Sequence, residues 1–149
     1  MENKICCFAG HSTVYIEDLE QISEIVSSEI TNLIENHNVN TFYNGGKGTF
    51  DNLCAECVAN IRQYYKTIES YLILAYMPKN DGFNSTLYDG TIYPELETVP
   101  PKFAIIRRNE WIIDNSNFLI AYVKNQYGGA YRTLKYAQRK KHIIIRNIA

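Results

Sequence analysis

Short continuous apolar runs alternate along the chain with longer stretches in which apolar residues recur at helical spacing. The runs at 4–9, 41–43, 71–76, 118–123 and 143–145 predict strands, and the stretches at 19–34, 53–61, 107–114 and 131–140 predict helices. Strands that alternate with helices are typical of a parallel sheet covered on both faces. The pattern therefore predicts one α/β domain over residues 1–149, with a Rossmann-like, mainly parallel sheet and helices on both faces.

The rhythm breaks over residues 77–102, which hold all four prolines, two glycines and several Asn and Asp residues. Such a composition is typical of a long loop. Because the segment follows the third predicted strand, where the edge of a site is expected, we predict that it forms a loop or a lid over a pocket.

Polar or glycine-rich loops follow three of the predicted strands, at 10–13, 44–49 and 124–129. The carboxyl ends of parallel strands lie at one edge of a sheet, where ligands bind. Glycines let backbone N–H groups approach a ligand, and a following helix adds its positive dipole end. We therefore expect an anion-binding cradle, in which a side chain at Gly46 would obstruct the ligand. The spacing matches neither a Walker A loop nor a dinucleotide fingerprint, so both are excluded.

Composition narrows the class of protein further. The 149 residues are 46% hydrophobic and 21% charged, with a net charge of −1, as in a globular protein without an electrostatic preference for nucleic acid. Cys6, Cys7, Cys54 and Cys57 lack the partners of a zinc site, so we expect four buried thiols and no metal. Adjacent Cys6 and Cys7 should point to opposite faces of a strand. Because neither a signal peptide nor a membrane span is visible, we expect a cytoplasmic location.

Four segments carry a resemblance to a known family: FAGHS, YNGGKGTFDNLCAE, RRNEWIIDNSNFLIAY and YGGAYRTLKYAQRK, in that order. Together they resemble the SLOG superfamily (SMF/DprA and LOG proteins), and most closely its small YpsA-like branch. The resemblance spans nearly the whole chain. It implies a Rossmann-like fold, a pocket for a nucleotide or a nucleotide-derived ligand, and pairing of copies as a homodimer or a higher homo-oligomer.

The chain departs from the family patterns at three places. Ser12 stands where an arginine is common, and Asn44 replaces the proline of the LOG motif. Asn52 stands where LOG phosphoribohydrolases carry the glutamate that assists cleavage of an N-glycosidic bond. Asp51 instead matches the aspartate of the YpsA-like loop, and Glu56 is a weak substitute acid. The resemblance thus implies a kept phosphate cradle without the LOG carboxylate.

Candidate ligand-binding residues come from the strand ends, the glycine loops and the arginines near them. Lys47 could pair with a phosphate or be a solvated lysine, and Asp51 could accept ribose hydroxyls or start a helix. One of Arg107 and Arg108 should reach an anion, and Arg132 is the best arginine for a second phosphate. The full set is Gly10, His11, Ser12, Asn44, Gly45, Gly46, Lys47, Gly48, Thr49, Asp51, Arg107, Arg108, Asn109, Gly128, Gly129 and Arg132. We assign no catalytic residue, no metal ligand and no cofactor.

The expected function is binding of a nucleotide-derived small molecule, of signalling, cyclic or ADP-ribose type, by a sensor or a sequestering protein. The absent glutamate favours binding over catalysis, so we expect that the protein is not an enzyme. The alternative is a nucleotide-hydrolysing enzyme of the LOG type. A DNA-handling role like that of DprA is disfavoured by the near-neutral charge and by the lack of a basic stripe.

Overall fold

A computed structural model describes residues 3–77 and 86–149 of the chain. Strands and helices alternate through the described residues. In chain order the elements are β1 (Ile5–Gly10), α1 (Ile16–His37), β2 (Thr41–Asn44), α2 (Thr49–Ile61), β3 (Glu69–Ile73), β4 (Gly90–Ile92), α3 (Pro101–Asp114), β5 (Phe118–Tyr122), α4 (Gly129–Gln138) and β6 (Ile144–Asn147).

The strands form one sheet in the order β4-β3-β2-β1-β5-β6, and every pair of neighbours is parallel. The chain builds outward from β1 to β4, then crosses to the other side of β1 to add β5 and β6. The strand order therefore reverses between β1 and β5, and the loops that follow these two strands flank a crevice. In open parallel sheets this reversal is where ligands bind.

Helices pack on both faces of the sheet, as predicted. One core cluster joins α1 and α2 to the side of β1 that carries Cys6 and Phe8. A second cluster joins α3 and α4 to the side that carries Cys7 and Ala9. Cys6 and Cys7 thus point to opposite faces, and all four cysteines are buried. Their burial in apolar surroundings fits small hydrophobic side chains, and it raises the pKa of the Cys7 thiol to about 12.

The segment predicted to be a loop contains regular structure. Strand β4 lies within it, as a three-residue edge strand beside β3. Helix α3 begins at Pro101, six residues before the predicted start. Proline lacks an N–H group but is well tolerated in the first helical turn, so Pro100 and Pro101 mark the beginning of a helix rather than a loop. Residues 78–85 of the predicted lid lie outside the described residues.

The limits of two further elements, β3 and α1, also differ from the predicted ones. Strand β3 begins at Glu69 and ends at Ile73, two to three residues before the predicted limits. Helix α1 extends three residues beyond the predicted stretch at each end, from Ile16 to His37, and it ends there because Asn38 takes a left-handed conformation (φ 59°) and donates its N–H to the carbonyl of Leu33. Asn is among the few residues other than glycine that adopt this conformation readily. Among the described helices, none is long and apolar enough to cross a membrane.

Candidate functional site

A cavity of about 570 Å³ lies at the carboxyl ends of the strands. Its walls are the loops after β1, β2 and β5, the first turns of α2 and α4, and one side of α3. Ligand pockets for small molecules are typically about 300–1,000 Å³, so a nucleotide fits this volume. The cavity brings together ten of the predicted residues: Gly10, His11, Ser12, Gly45, Lys47, Asp51, Arg108, Asn109, Gly128 and Gly129.

Arg108 is the buried cation of the cavity, with only 5% of its surface exposed. Its Nη1 donates to the carbonyl oxygens of Gly45 (2.9 Å) and Ile73 (3.1 Å), and its Nε donates to Oδ1 of Asn109 (2.8 Å). These bonds hold the guanidinium between the ends of β2 and β3. Its Nη2 has no hydrogen-bond partner among residues 3–77 and 86–149. Every fully buried side-chain nitrogen or oxygen in those residues does have a partner, so Nη2 is not fully buried. Because Arg108 lines the cavity, Nη2 is the guanidinium nitrogen that is available there.

Asp51 brings a carboxyl group to the same cavity, from the first turn of α2. Burial raises its pKa to about 6, although the N–H of Lys47 and the charge of Arg108 act in the opposite direction. Its Oδ2 accepts the N–H of Lys47 at 3.1 Å. Near neutral pH the group is a hydrogen-bond acceptor, and in mildly acidic solution it becomes a donor as well.

His11 joins the loop after β1 to the loop after β5. Its Nε2 accepts the backbone N–H of Lys124 at 2.7 Å and, more weakly, that of Asn125 at 3.4 Å. Burial and the nearby Lys124 charge lower the pKa of His11, so the ring is neutral at physiological pH and carries its proton on Nδ1. The histidine therefore bonds backbone, and its Nδ1–H is the atom that could serve a ligand.

The loop over residues 44–48 is pinned to the protein itself. Asn44 donates to the carbonyl of Asp51 (2.8 Å) and accepts the N–H of Gly46 (2.7 Å). Gly46 has φ 68°, and a Cβ there would lie 2.4 Å from Cδ1 of Leu72 rather than in the cavity. The expectation that a side chain at Gly46 would obstruct the ligand is thus wrong: its glycine is required by backbone conformation and by packing on β3.

Gly48 and Thr49 fasten the start of α2 to the loop after β1. The carbonyl of Ser12 accepts both the N–H (2.8 Å) and the Oγ1 hydroxyl (2.9 Å) of Thr49. A Cβ on Gly48, which has φ 97°, would lie 2.7 Å from Cα of Ser12. These two residues position the cavity wall and lie outside the lining.

The second glycine loop differs, because it opens toward the cavity. Gly128 has φ 94° and precedes α4, and a Cβ on either Gly128 or Gly129 would meet no atom within 4 Å. Both residues line the cavity together with Ala130. Helix geometry leaves the first N–H groups of α4 without intrahelical acceptors, and the dipole makes this end positive. A phosphate group could therefore approach this backbone closely.

Six predicted residues lie outside the lining of the cavity. Asn44, Gly46, Gly48 and Thr49 shape the loops, as described above. Arg107 is on the exposed side of α3, where it forms a long ion pair of 3.9 Å with Glu110. Arg132 lines a neighbouring cavity of about 120 Å³ between α3 and α4. The helical period explains the difference between the two arginines, because successive residues point about 100° apart and only Arg108 faces the sheet.

Sequence reasoning missed several residues of the lining. They include Tyr15, Tyr122, Lys124, Asn125, Tyr127 and Thr133. The available signal was position: Tyr15, Lys124, Asn125 and Tyr127 lie within or just beyond the loops after β1 and β5. A search of those two loops for side chains of every type, rather than for glycines and arginines, would have found these four.

The fold and the position of the cavity define a Rossmann-like α/β domain with a site at the reversal of strand order. Two similar solved structures are of DNA processing protein A (DprA). With the Streptococcus pneumoniae protein the TM-score is 0.66 at 10% identity, covering 96% of this chain and 49% of that one. With the Helicobacter pylori protein, described by its single-stranded DNA binding mode, the TM-score is 0.64 at 13% identity, covering 95% and 64%.

A third similar structure is that of TM1055, a structural genomics target, with a TM-score of 0.57 at 14% identity over 90% of this chain and 68% of that one. No protein-family model matches the sequence, and no curated protein matches it either. The chain spans about half to two thirds of the length of the DprA structures. These likenesses establish the fold and agree with the resemblance to the SLOG superfamily, while the YpsA-like branch stays a prediction.

Proposed function

We propose that the cavity binds a nucleotide or a nucleotide-derived anion, and that the protein acts as a sensor or a sequestering protein for it. The observation that carries this proposal is Arg108, whose guanidinium is buried and held in place with one nitrogen left for the cavity. Burying a cation costs free energy unless it is paired, and the bonds to the two carbonyls and to Asn109, together with the nearby carboxylate of Asp51, offset part of that cost. An anionic ligand would supply the remaining partner.

The other polar groups of the cavity fit different parts of a nucleotide. The open first turn of α4 at Gly128 and Gly129 suits a phosphate. The carboxylate of Asp51 suits the hydroxyl groups of a ribose, which donate hydrogen bonds. Inorganic phosphate would use only the anion-binding end, whereas a nucleotide would also bond its ribose hydroxyls to the carboxylate, so we expect the cavity to bind a nucleotide more tightly than inorganic phosphate. Signalling nucleotides of cyclic or ADP-ribose type have the same groups.

Binding without cleavage remains the favoured activity. Asn52, at the position of the LOG glutamate, is exposed and lies outside the lining of the cavity. Asp51 is the carboxyl group that does line it, and a pKa of about 6 would suit proton transfer, which keeps nucleotide hydrolysis as the second candidate. Incubation of AMP with the protein, followed by chromatography, separates the two: intact AMP supports binding, and released adenine supports hydrolysis.

The direct test compares two adjacent arginines. We expect Arg108→Gln to weaken AMP binding by roughly 10- to 100-fold, because a charge-assisted hydrogen bond is worth about 1.5–3 kcal/mol. Arg107→Gln is the matched control, since it removes the same charge one residue away on the exposed side of α3. Calorimetry measures both, and circular dichroism confirms folding. Equal AMP affinity in folded Arg108→Gln and in the parent would refute the proposal.

Nucleic acid needs its own arm in this experiment. The expectation that nucleic acid is an unlikely partner finds no support, because a protein of the same fold is described as binding single-stranded DNA. Titration with an oligothymidylate in place of AMP addresses this point. Tight DNA binding that is not reduced by competing AMP would favour a DNA-handling role over a small-molecule site.

Cytoplasmic location and pairing into homodimers stay predictions. Size-exclusion chromatography with light scattering tests the pairing.

A further inference from the structure

Two tyrosines of the cavity lining expose their rings to solvent. Tyr15 is 67% exposed and immediately precedes α1, and Tyr127 is 73% exposed and lies in the loop after β5. Both are far more exposed than Tyr122, the third tyrosine of the lining, which is 6% exposed and stacks on Phe50 with ring centroids 5.7 Å apart. Tyr122 therefore serves packing, whereas packing does not explain the exposure of the other two.

The fold places these two rings on either side of the crevice. Strands β1 and β5 are paired neighbours, with Gly10 opposite Tyr122, so the loops that carry Tyr15 and Tyr127 leave the sheet side by side. The backbone N–H of Lys124, on the β5 side, donates to Nε2 of His11, on the β1 side, at 2.7 Å, which shows that the two loops approach each other. Tyr127 directly precedes Gly128 and the open end of α4.

We propose that Tyr15 and Tyr127 are the base-stacking residues of the site, which hold a nucleobase at the mouth of the cavity while the phosphate lies inside. This inference rests on the proposed function. An aromatic ring offers a large face to a planar base at little conformational cost, because only two side-chain torsions must be fixed. The site is then specific for ligands that contain a base and admits different bases, since every base has a stackable face.

The orientation follows from where the charges lie. Arg108 is buried deep in the cavity, and the N-terminus of α4 lines its wall. A charged phosphate gains most from groups shielded from water, whereas a base can stack on rings that remain partly exposed. Phosphate inward and base outward is the arrangement that uses both sets of groups.

The test uses two ligands that differ only in the base, AMP and ribose 5-phosphate. We expect Tyr127→Ala and Tyr15→Ala each to weaken AMP binding by roughly tenfold. Binding of ribose 5-phosphate should change by less than about twofold, since its contacts lie deeper in the cavity. Tyr127→Phe and Tyr15→Phe should bind AMP nearly as the parent does, because phenylalanine keeps the stacking face. Tyr64→Ala is the control, since Tyr64 is 81% exposed and lies beyond the end of α2, outside the cavity.

The outcomes separate this inference from the proposed function. If the parent binds both ligands and the alanine variants bind AMP as tightly, the rings do not stack on a base and only the proposed function survives. Equal weakening of both ligands would also refute stacking, because it would show that the tyrosines shape the loops. If the parent binds neither ligand nor any other nucleotide in a panel that includes cyclic forms, both proposals fail.

Discussion

Asp51 provides a prediction that needs no ligand. Burial raises the pKa of this carboxyl from 3.8 to about 6. A carboxyl whose pKa is raised by folding stabilises the folded state while it is protonated. That contribution is complete below the unfolded pKa and is lost as the pH rises through the folded pKa. Asp51→Asn replaces the titrating group with one that never ionises, and an asparagine oxygen can still accept the N–H of Lys47.

The size of the effect follows from the two pKa values. Between about pH 7.5 and about pH 5, a group with pKa values of about 6 folded and 3.8 unfolded changes the free energy of unfolding by about 1.4 kcal/mol. The parent gains this amount from Asp51 on acidification. His11 acts in the other direction, because burial lowers its pKa and protonation of the unfolded chain then costs stability as the pH falls. Only the difference between parent and variant isolates Asp51.

Urea unfolding at the two pH values measures that difference. We expect Asp51→Asn to gain about 1.4 kcal/mol relative to the parent on going from about pH 5 to about pH 7.5, whatever its stability at either pH. Glu56→Gln is the matched control, because it removes an exposed acid farther along the same helix. A parent-to-variant difference that is the same at both pH values would show that the carboxyl of Asp51 is solvated, and it would remove the second candidate function as well.

Three further substitutions test the local geometry by urea unfolding. Gly46→Val should lower the free energy of unfolding by more than about 2 kcal/mol, because φ is 68° and the added Cβ would lie 2.4 Å from the Leu72 side chain; near-parental stability would contradict this. Gly129→Ala should stay within about 0.5 kcal/mol of the parent, because its Cβ enters open space at a helix start, and a large loss would mean that this turn is tightly packed. His11→Ala should cost about 1–2 kcal/mol, because the N–H of Lys124 loses its acceptor; an unchanged stability would show that water replaces it.

Hydrophobic periodicity was sufficient to predict the sheet, its parallel strands and the helices on both faces. These features depend on long, regular patterns that burial enforces. The periodicity missed β4, because three residues at the edge of a sheet, none of them fully buried, leave almost no pattern. It also placed the start of α3 too late, since proline was taken as a loop residue where it occupies the first turn of a helix.

The site was predicted less completely than the fold, for a physical reason. The rule that ligands bind at the carboxyl ends of parallel strands led to the loops that line the cavity. It did not show at which glycine an added Cβ would point into the cavity and at which it would meet a neighbouring strand. That distinction depends on φ and on contacts across the sheet, such as the one between Gly46 and Leu72, and these are tertiary. The same limit applied to Arg107 and Arg108, whose roles are decided by the rotation of α3.

The two glycine loops differ in how their backbone N–H groups are bonded. A backbone N–H group that is shielded from water needs a hydrogen-bond partner, and the partners differ between the two loops. In the first loop, Gly46, Lys47 and Thr49 donate their N–H groups to Asn44, Asp51 and Ser12, so these three donors are bonded within the protein. In the second loop, Gly128 adopts a positive φ with open space around it, at the start of a helix whose first turn lines the cavity and whose first N–H groups have no intrahelical acceptors. The first loop therefore holds Asp51 and Arg108 in position, and we propose the second as the place where an anion would meet backbone donors.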